Sequence, residues 1–140
     1  MPWEAVVVSA GTGATAAGLL IGLKGSAPLH VASALKGLDM TGAIQDQLNY
    51  ALNDPEWSRE MMADCHVWED AHAEGFGKIG TDVTELIAAW EAETGIEIDG
   101  VYTAKTLMRL KSAWAHNDRW RGRRVLFVHT GGLQGNRSWR

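Results

Sequence analysis

Ala5-Val-Val-Val-Ser-Ala-Gly-Thr-Gly-Ala-Thr-Ala-Ala-Gly18 is the stretch on which the fold turns. Ala5 to Ser9 is apolar and rich in β-branched residues, with no alternation between one face and the other. A strand covered on both faces reads this way, and such strands belong to parallel sheets. Gly11-Thr-Gly13 interrupts the run, and good helix formers follow from Ala14 to Leu23. A strand, a glycine turn and a helix start in that order aim several unpaired backbone N–H groups at one point. The helix dipole adds a partial positive charge there, which suits a phosphate. Thr12 and Thr15 add hydroxyl donors. Gly11, Thr12, Gly13, Ala14 and Thr15 are therefore the candidate phosphate cradle.

The remainder of the chain is consistent with one α/β domain over residues 1–140. The length allows a core of its own. A formal charge of −4, with both signs scattered, leaves no basic patch for nucleic acid. No apolar run approaches the ~20 residues of a membrane span, and Met-Pro-Trp-Glu4 does not read as a signal peptide. The single Cys65 cannot close an internal disulfide, which fits a cytoplasmic location. Seven tryptophans, scattered along the chain, read as packing rather than a stacking platform.

Taken in order, Leu29 to Leu35 predicts a second buried strand, and Asp39 or Thr41 caps a helix running to about Leu52. Asn53-Asp-Pro55 breaks that helix; residues 56 to 68 are ambiguous, with a strand favoured around Cys65 to Trp68. Ala71 to Gly80 has no period and reads as a loop. Thr81 or Asp82 opens a helix with Val83, Leu86, Ile87 and Trp90 on one face, stopped by Gly95. Val101 to Trp114 predicts another helix, and Arg123 to His129 a last strand followed by Thr130-Gly-Gly132. The pattern implies α/β architecture with a mainly parallel sheet and flanking helices. In such sheets ligands bind at the carboxyl ends of strands, so Gly11–Thr15 and Thr130–Gly132 are expected to flank one pocket.

Other chemistries have less support. Gly11-x-Gly13-x-x-Ala16 also satisfies a loose dinucleotide fingerprint, but the ribose carboxylate it needs could only be Asp39, behind Lys36-Gly37. Cys65, His66 and His72 do not assemble a metal set, since neighbours on a strand point opposite ways. His129 reads equally as a packed residue or a chemical one. Tyr102 opens a helix, where its phenol could project into a cleft.

Three segments in order carry a resemblance: Val6 to Leu19, Gly95-Ile-Glu-Ile-Asp-Gly-Val-Tyr-Thr-Ala-Lys105, and Val125-Leu-Phe-Val-His-Thr-Gly-Gly-Leu-Gln-Gly135. Together they resemble the C-terminal half of the 1-aminocyclopropane-1-carboxylate deaminase/D-cysteine desulfhydrase family. Those enzymes use pyridoxal 5′-phosphate (PLP) and have the tryptophan-synthase-β-like fold, PLP fold type II. The likeness covers nearly the whole chain and implies part of that fold's large domain.

The resemblance implies that Gly11, Thr12, Gly13, Ala14 and Thr15 hold the PLP phosphate, and that Tyr102 is the active-site tyrosine. Thr103 and Thr130 with Gly131 stand where the family places the partner of the pyridine nitrogen. A neutral threonine there is closer to the desulfhydrase-like branch, and it weakens the ring as an electron sink. Asp99-Gly100 and Ala104 depart from the family's usual Asp-Pro and Gly, and Phe76 aligns with a second tyrosine. None of Lys24, Lys36, Lys78, Lys105 or Lys111 matches the family's Schiff-base lysine, which lies upstream of the cradle. The expected activity is deamination or elimination on a small amino-acid substrate, with this chain alone inactive. A homo-oligomer or a complementing N-terminal segment is expected, because apolar strands at 5–9 and 124–129 would otherwise leave an unpaired edge. A non-catalytic remnant and a nicotinamide-binding half-domain are the competing readings.

Overall fold

A four-stranded, all-parallel sheet organises the described residues, its strands lying side by side in the order Cys65–Trp68, Leu29–Ser33, Ala5–Ala10 and Val125–Val128. The computed structural model describes residues 2–71 and 79–138. Strand β1 is Ala5–Ala10, β2 Leu29–Ser33, β3 Cys65–Trp68 and β4 Val125–Val128. Helix α1 spans Ala14–Leu23, α2 Met40–Leu52, α3 Pro55–Met62, α4 Thr81–Thr94 and α5 Thr103–His116, with 3-10 turns at Asp118–Trp120 and Leu133–Ser138.

β1 is central and buried along its whole length, which is why it lacks alternation. Its successive side chains enter two different cores. Val6, Val8 and Ala10 pack with Leu29 and Val31 under α1 and α2, against Ala16, Leu20, Met40, Ile44 and Leu48. Ala5 and Val7 pack on the opposite face with Val83 and Ile87 of α4 and with Leu107, Leu110 and Ala113 of α5. Each helix therefore presents one apolar stripe to a sheet covered on both sides.

Local chemistry sets most boundaries. The Asp39 carboxylate caps α2 by accepting from the Gly42 N–H at 3.0 Å. Gly95, at φ 72°, ends α4 in the left-handed region. The structure adds α3, which the sequence reading left ambiguous. Asn53-Asp-Pro55 ends α2 and starts α3 at once: Asp54 accepts from the Trp57 N–H at 3.1 Å, and Pro55 occupies the first turn. The last strand is shorter than expected, and α5 begins at Thr103 rather than Val101. The loop expected over 71–80 falls mostly outside the described residues, as do Phe76, Lys78 and His72.

The tryptophans divide between roles. Trp68 and Trp120 pack with the His30 ring at the amino end of the sheet, whereas Trp3 and Trp57 are exposed. His66 stacks on His30 with ring centroids 4.9 Å apart, while its neighbour Cys65 joins the opposite core. Among the described residues, no helix is long and apolar enough to cross a membrane.

Candidate functional site

β1 and β4 are paired in parallel, Val8 beside Val128, so their carboxyl ends emerge side by side. The two Thr/Gly turns that follow them consequently border one open cavity of about 290 Å³. Gly11, Thr12, Gly13 and Thr15 line one wall, Thr130, Gly131 and Gly132 another, and Tyr102 a third, with Ser9, Ala10 and Gln134 completing the lining.

The cradle is built by the start of α1. Gly13 sits at φ 87° and turns the chain from strand into helix. No side chain caps α1 and no acidic residue lies in its first turn. The first N–H groups of a helix have no intrahelical partner, so this end offers donors and positive potential to the cavity. Thr12 Oγ1 lies 3.5 Å from the Ala14 N–H, a distance too long for a strong bond. Ala14 itself is exposed at the first helical position and does not line the cavity with its side chain.

Tyr102 approaches this loop closely. A Cβ on Gly11 would stand 3.4 Å from both the Cε1 and the hydroxyl of Tyr102. The phenol therefore lies directly against the glycine turn. A Cβ on Gly13 would instead meet Ile44 Cγ1 at 3.1 Å and the Ile44 backbone nitrogen at 3.3 Å. The two glycines thus differ. At Gly11 a Cβ would make ordinary van der Waals contact with Tyr102, whereas Gly13 lets α2 pack beneath the loop.

A buried polar network, not singled out in the sequence, holds Tyr102 in place. Asp99 is completely buried. Its Oδ2 accepts from the Val101 N–H at 2.8 Å and the Tyr102 N–H at 2.7 Å. Its Oδ1 accepts from the Thr103 N–H at 3.0 Å and the Thr103 hydroxyl at 2.6 Å. A single carboxylate thus satisfies three N–H groups at the start of α5, an arrangement suited to the positive end of the helix dipole. Asn136 clamps the same turn from the far end of the sequence: its Oδ1 accepts from the Gly100 N–H at 3.0 Å and its Nδ2 donates to the Ile98 carbonyl at 3.0 Å. Asp99 was legible as an acidic residue just before a helix, but Asn136 had no local signal.

Thr103 is accordingly placed elsewhere than the resemblance implied. Its side chain is fully buried and bonded to Asp99, and it does not line the cavity. Thr130 does. His129, at the end of β4, braces this turn, with its Nδ1 accepting from the Gly131 N–H at 3.1 Å and its Nε2 donating to the Glu97 carbonyl at 2.7 Å. Its ring is a strut between two loops of the site. Asp39 does not reach the cavity, being engaged as the cap of α2. No lysine lines the cavity among the described residues.

The cavity lining is entirely neutral, with hydroxyls, an amide and glycine backbone around an uncapped helix start. That composition fits a phosphate ester and offers no carboxylate to repel it.

No protein-family profile matches the chain. It is 33% identical over 137 residues to a protein of Pyrococcus abyssi (strain GE5 / Orsay) provisionally named 1-aminocyclopropane-1-carboxylate deaminase, a match that takes in 94% of this chain and 40% of the relative. A crystal structure described as an ACC deaminase homologue superposes with a TM-score of 0.73 at 24% identity, over 97% of this chain and 42% of that one. The shared fold is the α/β, parallel-sheet architecture of PLP fold type II. The chain is thus similar in sequence to a protein named as a 1-aminocyclopropane-1-carboxylate deaminase and spans about 40% of that relative's length.

Proposed function

We propose that this chain is the phosphate-holding part of a PLP-dependent deaminase or desulfhydrase acting on small amino acids. The observation that carries this reading is the convergence of Gly11–Thr15, Tyr102 and Thr130–Gly132 on one neutral cavity at the carboxyl ends of β1 and β4. Backbone N–H groups at the start of α1, with the Thr12 and Thr15 hydroxyls, bind the phosphate. Tyr102, fixed by Asp99 and pressed against Gly11, holds or moves a proton at its hydroxyl over the reacting end of the pocket. Thr130, braced through His129, presents a neutral hydroxyl to the ring nitrogen. When bound, PLP supplies the electron sink for deamination or elimination. The lysine that anchors the cofactor belongs, on this reading, to the part of the relatives' length that this chain does not span, and the chain alone is inactive.

Titration calorimetry with PLP and with inorganic phosphate tests the cradle without any need for turnover. Wild type is expected to bind both. Gly11→Asp, which sets a carboxylate in the cavity at a position free of positive φ, is expected to abolish binding. Thr15→Ala should weaken it by about 1–2 kcal/mol, one hydrogen bond to a charged group. Equal binding by wild type and Gly11→Asp would show that the loop is only a turn. Tighter binding of NAD than of PLP would favour the nicotinamide reading.

A further inference from the structure

The amino end of the sheet, opposite the Thr/Gly turns, holds a second polar cavity of about 290 Å³. His30 and His66 line it from β2 and β3, Trp120 forms a wall, and Arg119 and Arg123 border it from the segment after α5. His30 and His66 are partners in the strand register, so their rings stack with centroids 4.9 Å apart. Trp120 meets the His30 ring edge-on at 4.7 Å, and Trp68 packs against it at 5.3 Å. The His30 ring is therefore held in one position before any ligand arrives, which lowers the ordering cost of binding.

The chemistry of this cavity is unbalanced. His30 Nδ1 is buried and makes no hydrogen bond, so the ring can bond a ligand only through Nε2, in the cavity it lines. Burial, and then His66, lower the His30 pKa from 6.5 to about 4. Two imidazoles stacked in a cleft thus give up a proton that a nearby anion would retain. Positive charge at the rim is also left over. Among the ion pairs of the described residues, Arg121 pairs with Asp118 and Arg109 with Asp70, while Arg119 and Arg123 take part in none. Glu4, the carboxylate of the lining, is engaged in accepting from the Arg124 N–H at 2.8 Å. A proton-poor imidazole beside unpaired guanidinium groups in a cleft points to binding and not to packing alone.

We infer that this cavity is an oxyanion site that takes a phosphate monoester or free phosphate at the amino end of the sheet. Arg119 and Arg123 supply planar, multi-donor groups that match phosphate oxygens, and the His30 and His66 rings donate from the strands. Phosphate carries a charge of roughly −1.5 to −2 near neutral pH, which two free guanidinium groups offset. A single carboxylate would leave one of them over. The rings of Trp120 and His30 offer an apolar wall to the remainder of an ester. The site shares no residue with the cavity of Gly11–Thr15 and lies at the other end of the strands, so it does not rest on the PLP reading.

Imidazole NMR of the full chain separates the two sites. Inorganic phosphate and phenyl phosphate are titrated at constant ionic strength, with chloride as the control. His30 and His66 report this cavity, and His129, which braces Gly131, reports the cradle. Saturable shifts of His30 and His66 are expected with both probes and not with chloride. Bound phosphate should raise the His30 pKa from about 4 by about one unit, a tenfold gain in proton affinity. Arg119→Gln and Arg123→Gln, both at exposed positions, should each weaken this response about tenfold and leave that of His129 unchanged. Tighter binding of phenyl phosphate assigns the site to an ester, and equal binding to free phosphate; either result upholds the oxyanion site. A response at His30 and His66 without one at His129 upholds it too and removes the cradle. No shift at His30 and His66, whatever His129 does, overturns the inference. Shifts that chloride reproduces, or that both arginine variants leave intact, also overturn it.

Discussion

Replacing Asp99 by Asn asks how much of the site rests on one buried carboxylate. Asp99 is 0% exposed and accepts from three backbone N–H groups and one hydroxyl, with two donors on each oxygen. Asparagine keeps a single acceptor oxygen. Whichever way its amide is turned, the NH₂ group meets two former donors, either Val101 and Tyr102 or the backbone and hydroxyl of Thr103. A hydrogen bond to a charged group contributes about 1.5–3 kcal/mol, so losing two is expected to destabilise the fold by about 3–6 kcal/mol. Solvent cannot compensate at a fully buried position. Because domains of this size are stable by only about 5–15 kcal/mol, the variant should sit near its unfolding threshold. Urea unfolding followed by tryptophan fluorescence measures the difference. Thr103→Val, which removes the hydroxyl alone and nearly preserves volume, should lose about 1–3 kcal/mol and serves as the graded comparison. A loss below about 1.5 kcal/mol for Asp99→Asn would refute the view that this carboxylate organises the start of α5 and the placement of Tyr102.

Gly13→Ala is expected to destabilise by about 2–4 kcal/mol, from a left-handed backbone and a Cβ forced against Ile44; thermal unfolding checks this. A pH dependence should come from His30, whose pKa is lowered from 6.5 to about 4 by burial and then by the neighbouring His66, in a cavity that also holds Glu4, Arg119 and Arg123. The unfolded chain binds the proton more tightly, so stability is fully present above pH ~6.5 and falls as pH drops toward ~4. The loss is about 1–2 kcal/mol once solvent screening of a half-buried ring is allowed for. His30→Phe should flatten that window in urea titrations from pH 7 to 4.

The parts of this protein legible in its sequence are those decided within a few residues. The β1–glycine turn–α1 unit is so, because β-branched apolar residues, Gly13 and the helix formers after it all act locally. Capping by Asp39 and termination at Gly95 are local for the same reason. Even α3 carried its signal in Asp54 and Pro55, which read as the end of one helix and were also the start of the next. Tertiary structure alone decided which strands are neighbours. β1 is not an edge but lies between β2 and β4, and this adjacency brings Thr130 to the cradle although 115 positions separate it from Thr15. Burial settled the roles of the two threonines. Thr103 turns inward because a buried carboxylate needs its donors, whereas Thr130 is left at the cavity wall. Gly13 lines the cavity with its backbone, but a Cβ there would point at Ile44, because α2 packs beneath the loop. The reach of Asn136 to Ile98 and Gly100, and the bracing of Gly131 by His129, likewise depend on loops that meet only after the sheet has formed. Propensity and capping act over one or two turns of chain, whereas a pocket is made where distant strand ends are held side by side by the ladder between them.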